Sequence, residues 1–297
     1  MKIFITGATG YLGYHIACQC LSDGHQVLCL RRSTSKSLFD IEQERQVQWV
    51  AINEEDWKNT VKVFAPDVLI HAAWGGVRGA GREDFDIQTQ NILMSNQIFT
   101  LYPYQQIIAI GSQAEYGYYE GPVNEEHELH PTTRYAIAKC AVQHELQTYC
   151  EKNNIEWQWI RVFTVFGEKL TGGLMSLAIS NCRQGRESFD TTAGEQVYSY
   201  LYAGDFAKAV CNVIGAKGKS GIYNISQPSE EYSNKEILET IRSMMGSNIK
   251  YNYGAVPYAK DQIMLMSGTI DKFENAFGKI PHTDFQVALQ NTINSFK

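Results

Sequence analysis

The chain has no C-x-x-C pair, no low-complexity tract, no internal repeat and no surplus of positive charge. Each gap closes a class. The seven cysteines are an odd number, and Cys18, Cys20, Cys29, Cys140, Cys150, Cys182 and Cys211 lie mostly inside apolar stretches. That pattern fits reduced, mostly buried thiols in a cytoplasmic protein rather than a disulfide framework. Cys18-x-Cys20 lacks the second pair that a zinc site needs, so no metal is expected. Lys plus Arg total 26 against 32 Asp plus Glu, a formal charge of −6. A nucleic-acid partner held by phosphate neutralisation is therefore not expected. No apolar run approaches the ~18–20 residues that span a bilayer. The first residues enter a strand pattern with no signal-peptide pattern before it, so no membrane association is expected. What is present is 297 residues, 44% hydrophobic and 20% charged, enough apolar material for a full core.

That material is arranged in alternation. Lys2–Thr6 is a short apolar, β-branched run ending at a glycine. The stretch from Leu12 to Leu21 has helical periodicity. Strand patterns follow at Gln26–Leu30, Val47–Ile52, Asp67–Ala72, Gln106–Ile110 and Glu156–Val162. Between them lie an amphipathic stretch from Glu55 to Phe64 and long helices over Phe85–Leu101 and Arg134–Lys152. Strands separated by helix-length segments imply right-handed βαβ crossovers and a parallel sheet. Beyond Phe166 the alternation weakens. Tyr198–Tyr202 and Gly221–Ile225 read as strands around a helix at Asp205–Ile214. Leu174–Gln184, Ser233–Met245, Ile270–Phe277 and Asp284–Phe296 read as helices, with Ser233 and Glu236 forming a capping box. The expected fold is α/β: a Rossmann-like, doubly wound parallel sheet with a smaller α/β substrate-binding lobe on the C-terminal side. Residues 1–166, with a returning segment near 196–225, form the dinucleotide-binding domain. Residues 167–195 and 226–297 form the lobe.

Thr6-Gly7-Ala8-Thr9-Gly10-Tyr11-Leu12-Gly13 joins the first strand to the first helix. Gly7 permits a tight turn, Gly10 lets backbone approach a pyrophosphate, and Gly13 lets helix and sheet pack closely. The phosphates then meet the free N–H groups and positive dipole end of the helix. The second strand ends Leu30-Arg31-Arg32-Ser33, with no acid before Asp40 to grip the adenosine ribose. Two arginines suit a 2′-phosphate, so NADP(H) is favoured over NAD(H).

Tyr135 and Lys139 are four apart on one helix face. A phenol titrates near ~10, and a neighbouring ammonium stabilises the phenolate and lowers that value. Ser112 follows the fifth strand, at the carboxyl edge where ligands bind in open α/β sheets. Its hydroxyl can hydrogen-bond a carbonyl oxygen as charge develops on it.

With these residues the chain resembles the extended short-chain dehydrogenase/reductase superfamily, in particular its NAD-dependent epimerase/dehydratase branch. The resemblance spans nearly the whole chain. It rests on the Gly7–Gly13 loop, His71-Ala72-Ala73-Trp74, Ser112 to Gly117, Tyr135 with Lys139, Arg161 to Gly167, and Asp205. It implies that Tyr135 is the general acid/base, Lys139 its pKa partner and ribose anchor, and Ser112 the carbonyl-orienting donor. It places His71, Ala72 and Ala73 along the cofactor, Phe163 and Thr164 near nicotinamide and sugar, and Asn91 as a brace. A homodimer through Phe85–Leu101 and Arg134–Lys152 is also implied.

Departures from the family pattern narrow the chemistry. The 4,6-dehydratases carry Asp-Glu after the catalytic Ser/Thr, and here those positions are Gln113 and Ala114. Dehydration is not expected without that acid/base pair. Gln113 to Gly117, with Ala255-Val256-Pro257-Tyr258 and Gln262-Ile263-Met264, looks most like nucleotide-sugar 4-ketoreductases. The expected activity is NADPH-dependent reduction of a nucleotide-linked 4-keto-6-deoxyhexose, in deoxysugar and surface polysaccharide biosynthesis. Two alternatives stand beside it: a C4 epimerase that retains NAD, and a non-catalytic NADP(H) sensor. Candidate substrate contacts are Trp74, Gln113, Thr164, Tyr198 and Lys260. Two arginines that family members place on the substrate diphosphate are missing, at Tyr198 and at Ala259. Arg183, Arg186 and Lys260 are the candidate replacements. His127-Glu128-Leu129-His130 resembles a metal pair but reads as a solvated loop. The tyrosines from Tyr102 to Tyr119 are read as loop packing or sugar stacking. Trp74 to Gly81 is read as a lid or a plain connection.

Overall fold

The computed structural model describes residues 1–227 and 231–296. Strand β1 (Lys2–Thr6) sends Ile3 and Ile5 to one face and Phe4 to the other, all three fully buried. The same two-sided burial holds in β2 (Gln26–Arg31), β3 (Gln48–Ala51), β4 (Val68–His71) and β5 (Gln106–Ile110). It also holds in β7 (Glu156–Val162), reached after the short β6 (Gly121–Val123). Strands buried on both faces must be covered by helices on both faces, which is why they read as unbroken apolar runs. One face carries α1 (Tyr11–Ser22). The opposite face carries α3 (Trp57–Phe64), α4 (Phe85–Phe99) and α5 (Arg134–Asn153). A short α2 (Ile41–Gln46), capped by Asp40, precedes β3.

The second half adds β8 (Thr164–Phe166), α6 (Gly173–Arg183), β9 (Ser188–Thr191), β10 (Val197–Tyr198), β11 (Tyr200–Tyr202) and α7 (Ala203–Asn212). Then come β12 (Gly221–Ile225), β13 (Tyr232–Ser233), α8 (Asn234–Met244), β14 (Lys250–Tyr253), β15 (Leu265–Gly268), α9 (Asp271–Phe277) and α10 (Phe285–Ser295). Seven strands form one parallel sheet in the order β12-β7-β5-β4-β1-β2-β3. The chain winds outward from β1 to β3, then returns to β4 on the other side of β1. That reversal opens a crevice at the carboxyl ends of β1 and β4, the position where such sheets bind ligands. Helix α7 packs with α1 on one face, and β12 closes the sheet beside β7.

A separate apolar cluster gathers Met175 and Ile179 of α6, Ile237 and Ile241 of α8, and Leu289 and Ile293 of α10. Ser233 and Glu236 cap α8 reciprocally, as the sequence predicts. The expected single strand Tyr198–Tyr202 is instead two. Val197 and Tyr198 pair with β13 and β15, whereas Tyr200–Tyr202 pair with β8. The chain breaks between these two pairings at buried Ser199. All seven cysteines are free thiols, with Cys20, Cys29, Cys150 and Cys211 buried. Among the described residues, no helix is long and apolar enough to cross a membrane, and no cluster of His, Cys, Asp and Glu is arranged to hold a metal.

Candidate active site

The crevice is lined first by the glycine loop. Gly7 has φ +84°, and a Cβ there would lie 2.6 Å from the Ala73 nitrogen. A Cβ on Gly13 would lie 2.2 Å from the Gly7 carbonyl oxygen. Both glycines are demanded by the protein's own packing. Gly10 is different. Its added Cβ would meet only the Gly7 oxygen, at 3.2 Å. Gly10 is also the N-cap of α1 and offers no side-chain cap to the first N–H groups. The free donors of this helix end therefore face open space, a cradle suited to the pyrophosphate of a dinucleotide.

His71 closes the floor of the crevice. Its Nδ1 lies 2.8 Å from Thr6 Oγ1 and its Nε2 lies 3.0 Å from Ser95 Oγ. Ser95 spends its proton on the Asn91 carbonyl at 2.7 Å, so it accepts from Nε2–H, and Nδ1 accepts from Thr6. Burial pushes the imidazole down to about 3, with the Lys139 charge adding to the effect, so the ring is neutral at ordinary pH. The side chain thus ties β4 to β1 and α4. Ala72 and Ala73, half-exposed beyond it, present backbone to the crevice. Trp74 donates Nε1–H to Gln88 Oε1 at 3.0 Å. Gln88 in turn donates to the carbonyls of Gly76 and Gly81, and Asn91 exchanges two hydrogen bonds with the Gly75 backbone. The Trp74–Gly81 segment is thereby pinned to α4 through Gln88 and Asn91.

Ser112, two residues beyond the end of β5, is the N-cap of a 3-10 turn, Gln113–Tyr116. Tyr135 and Lys139 reach the same place from the first two turns of α5, which Thr133 caps. Ser112 and the Tyr135 hydroxyl face each other closely enough for the serine to favour the phenolate. Burial nevertheless raises the Tyr135 pKa. Ser112 pulls it back, Glu115 pushes it further up, and the Arg82 guanidinium draws it down. Lys139 donates to the Ile110 carbonyl at 2.6 Å and lies 3.7 Å over the Trp74 ring. Burial pushes its ammonium down to about 7, against the opposing pull of Glu115.

Beneath this triad lies a pair that sequence reading did not single out. Glu115 accepts from Arg161 Nε at 2.8 Å, from Trp159 Nε1 at 3.0 Å and from the Ser112 backbone N–H at 2.7 Å. Both ions are buried, Glu115 at 0% and Arg161 at 1% exposure. The signal lay inside the motifs already quoted: an acid three residues after Ser112 and an arginine within the apolar run of the sixth sheet strand. A buried carboxylate that holds the serine's own backbone fixes Ser112 against Tyr135.

The other candidates scatter around this centre. Arg31 ends β2, lies 5.0 Å over the Trp49 ring and pairs with Glu44 at 3.8 Å, while Arg32 is exposed beside it. Phe163 is buried, with its ring packed against Gly268 of β15. Gln113 accepts from the Tyr119 hydroxyl at 3.2 Å, and Thr164 contacts the Met266 sulfur at 3.8 Å. Tyr198 donates to the Ile263 carbonyl at 3.2 Å and accepts from Gln262 at 2.7 Å, so its hydroxyl is engaged within the lobe. Lys260 is exposed. Arg183 donates to the Ile293 carbonyl at 3.0 Å and so ties α6 to α10. Arg186, also exposed, contacts Gln184. Instead, two arginines of the segment after Trp74 stand over the crevice. Arg82 lies 4.4 Å over the Tyr135 ring, and Arg78 reaches Gly172 on the opposite rim.

A doubly wound sheet, a glycine cradle at its switch point and a Ser-Tyr-Lys set beside it define a dinucleotide-binding enzyme of the short-chain dehydrogenase/reductase kind. Residues 3–226 match the NAD dependent epimerase/dehydratase family, and the chain belongs to it. Among relatives, it is 22% identical over 268 residues to the CDP-abequose synthase of Salmonella muenchen, covering 89% of this chain and 87% of that one. It is 23% identical over 271 residues to the dTDP-6-deoxy-L-talose 4-dehydrogenase (NAD(+)) of Aggregatibacter actinomycetemcomitans, covering 86% and 95%. In fold it is similar to the UDP-glucose 4-epimerase of Thermotoga maritima with UDP-glucose. That match has a TM-score of 0.87 at 20% identity and covers 100% of this chain and 98% of the other.

Proposed function

We propose that the protein is an NADPH-dependent reductase of the C4 ketone in a nucleotide-linked 4-keto-6-deoxyhexose, supplying deoxysugar donors for surface polysaccharide. The observation that carries this reading is the meeting of Ser112 and Tyr135 at the crevice, next to Gln113 and Ala114 rather than an acid pair. The family is a nucleotide-sugar-modifying one, and its members act with a nicotinamide dinucleotide. Gly7, Thr9, Gly10, Tyr11, Leu12 and Gly13 would hold the pyrophosphate, with Ala72, Ala73 and Phe163 lining the nicotinamide end. Lys139 would anchor the ribose. Arg31 and Arg32 support NADP(H) over NAD(H), because a 2′-phosphate would gain two cations at the end of β2.

When bound, the cofactor supplies a hydride. The chain's own residues handle the oxygen. The Ser112 hydroxyl stabilises the charge that develops on the C4 oxygen, and Tyr135 delivers its proton to that oxygen. Burial keeps the phenol protonated in the free protein, the form a general acid needs. Trp74, Gln113, Thr164, Tyr198 and Lys260 would border the sugar nucleotide, and the α6–α8–α10 cluster with its short strands would act as the substrate lobe. The protein would work in the cytoplasm as a homodimer.

The fold's likeness to a UDP-glucose 4-epimerase favours a second reading, C4 epimerisation with retained NAD. One experiment separates them: NADPH oxidation against a panel of 4-keto-6-deoxy sugars on different nucleotides. The reductase consumes NADPH stoichiometrically, and Tyr135→Phe lowers the rate about a thousandfold while cofactor binding persists. Full turnover by Tyr135→Phe would remove the role assigned to the phenol. Purification with tightly held NAD and no net consumption would select the epimerase.

A further inference from the structure

The arm of chain that leaves β4 begins against the glycine loop and ends on the far rim of the crevice. At its root, the Ala73 nitrogen lies 2.6 Å from where a Cβ on Gly7 would stand. Gln88 and Asn91 hold the backbone of Gly75, Gly76 and Gly81, and Arg82 donates Nη1 to the Val77 carbonyl at 3.3 Å. Arg78 is therefore carried on a stapled turn. Its guanidinium crosses to the loop after β8, where Nη1 lies 2.5 Å from the position of a Cβ on Gly172. Gly172 has φ +69°, so the far rim keeps that space clear of a side chain. Among the described residues, Arg78 makes no ion pair and no hydrogen bond holds its guanidinium. The Tyr11 hydroxyl stands at the same loop, 3.3 Å from the position of a Cβ on Gly167. Its oxygen is buried and has no hydrogen-bond partner among the described residues. Burial raises the Tyr11 pKa, Glu168 and Tyr202 add to that, and the Arg78 guanidinium opposes them. The hydroxyl is thus a proton donor, and it belongs to the first residue of α1. Glu168, the acid of this loop, already accepts from the Tyr202 hydroxyl at 2.6 Å.

We propose that Arg78 is a binding residue for the dinucleotide: a strap across the crevice that, with the Tyr11 hydroxyl, holds the pyrophosphate from the side opposite the glycine loop. The inference rests on the reading that the crevice takes a nicotinamide dinucleotide. Two sets of donors then share one diphosphate. The uncapped N–H groups of α1 meet it from one side, and a planar cation with a neutral hydroxyl meets it from the other. A guanidinium offers a two-pronged fork to phosphate oxygens, and a buried hydroxyl gains the partner it lacks in the free protein. The diphosphate of a sugar nucleotide has the same chemistry. The root of the arm at Gly7, and the reach of Arg78 to the first residue of α1, favour the cofactor. Arg82, the other arginine of the arm, lies over Tyr135 instead. Pyrophosphate is common to NAD and NADP, whereas Arg31 and Arg32 are assigned to the 2′-phosphate. Arg78 thus sets how firmly either dinucleotide is held and not which one is chosen.

The test is calorimetric binding of NAD⁺, NADP⁺, adenosine 2′-monophosphate, UDP, dTDP and CDP to the parent, Arg78→Gln, Arg78→Lys and Tyr11→Phe, with a melting temperature for each protein. Arg78→Gln should weaken NAD⁺ and NADP⁺ by the same factor, about tenfold, and Arg78→Lys by less, because it keeps the charge without the fork. Neither should alter the affinity for adenosine 2′-monophosphate, which has no pyrophosphate, or for the nucleoside diphosphates. Tyr11→Phe should weaken both dinucleotides about threefold and melt no lower than the parent, since it removes a hydroxyl that is unpaired in the free protein. Unchanged affinity for both dinucleotides in Arg78→Gln overturns the proposal, and so does a loss confined to NADP⁺. A loss for the nucleoside diphosphates alone also overturns it and assigns the arginine to the substrate. A parent that binds neither dinucleotide removes the cofactor reading together with the strap. Equal loss for both dinucleotides, in a protein that reduces no 4-keto sugar, upholds the strap and removes only the reductase reading.

Discussion

Tyr135 and Lys139 sit one helical turn apart, yet burial acts on them in opposite senses. It raises the phenol and lowers the ammonium, because in each case the charged form is the one that loses water. Their pairing was legible as a four-residue spacing. What set their protonation was invisible in that spacing, since Glu115, Arg82 and Trp74 come from other segments. His71 makes the same point and yields a prediction. Its folded value of about 3 lies below the ordinary ~6.5 of the unfolded chain. The unfolded state therefore binds the extra proton between those values, and stability present above ~6.5 is lost as pH falls toward about 3. The slope is about 1.4 kcal/mol per pH unit for one such group. Urea midpoints measured from pH 7 to pH 5 should fall more steeply for the parent than for His71→Gln. Parallel slopes would show that His71 does not carry this proton linkage.

The strands of the main sheet and the long helices were readable because local pattern and burial agree. An unbroken apolar run such as Ile3-Phe4-Ile5 has one use in a chain of alternating elements, as a strand covered on both faces. The glycine loop was readable as a motif, but its three glycines are not equivalent, and that difference is testable. Gly13→Ala forces a Cβ to 2.2 Å from a backbone oxygen and should destabilise the fold by about 3 kcal/mol, read as a lowered melting temperature. Gly10→Ala meets only one atom, at 3.2 Å, and should melt close to the parent while weakening dinucleotide binding at least about tenfold, read by calorimetry. Equal effects of the two substitutions on melting would contradict the division of roles. The Tyr198–Tyr202 segment was misread for a reason belonging to the same scale. Alternation identifies a strand but does not reveal that its two halves pair with different partners.

At the scale of the whole molecule, a net charge of −6 has to coexist with a crevice proposed to take a polyanionic cofactor and substrate. Positive charge is local: Arg31 and Arg32 at the end of β2, and Arg78 and Arg82 over the cleft. The arginines expected in the C-terminal half are absent from their places, and Arg183 is committed to joining two helices of the lobe. The outer surface of α4 and α5 leaves Phe85 at 62%, Leu93 at 56% and Ile137 at 54% exposure. Such apolar residues on adjacent helices are consistent with the proposed homodimer. Sedimentation velocity should find a dimer that Leu93→Arg combined with Ile137→Arg converts to a monomer with unchanged melting. A monomeric parent would exclude the homodimer.

The sequence by itself made legible the strand and helix alternation, the glycine loop and the Tyr135–Lys139 spacing, because each depends on residues close in the chain. Periodicity, turn glycines and a four-residue spacing are local quantities. Only the tertiary structure decided which charges govern the phenol, what the His71 ring does and where the basic groups of the cleft come from. Coulomb forces and desolvation depend on distance in space, and the fold brings Arg82, Glu115, Arg161 and Ser95 to this centre from four separate stretches of chain.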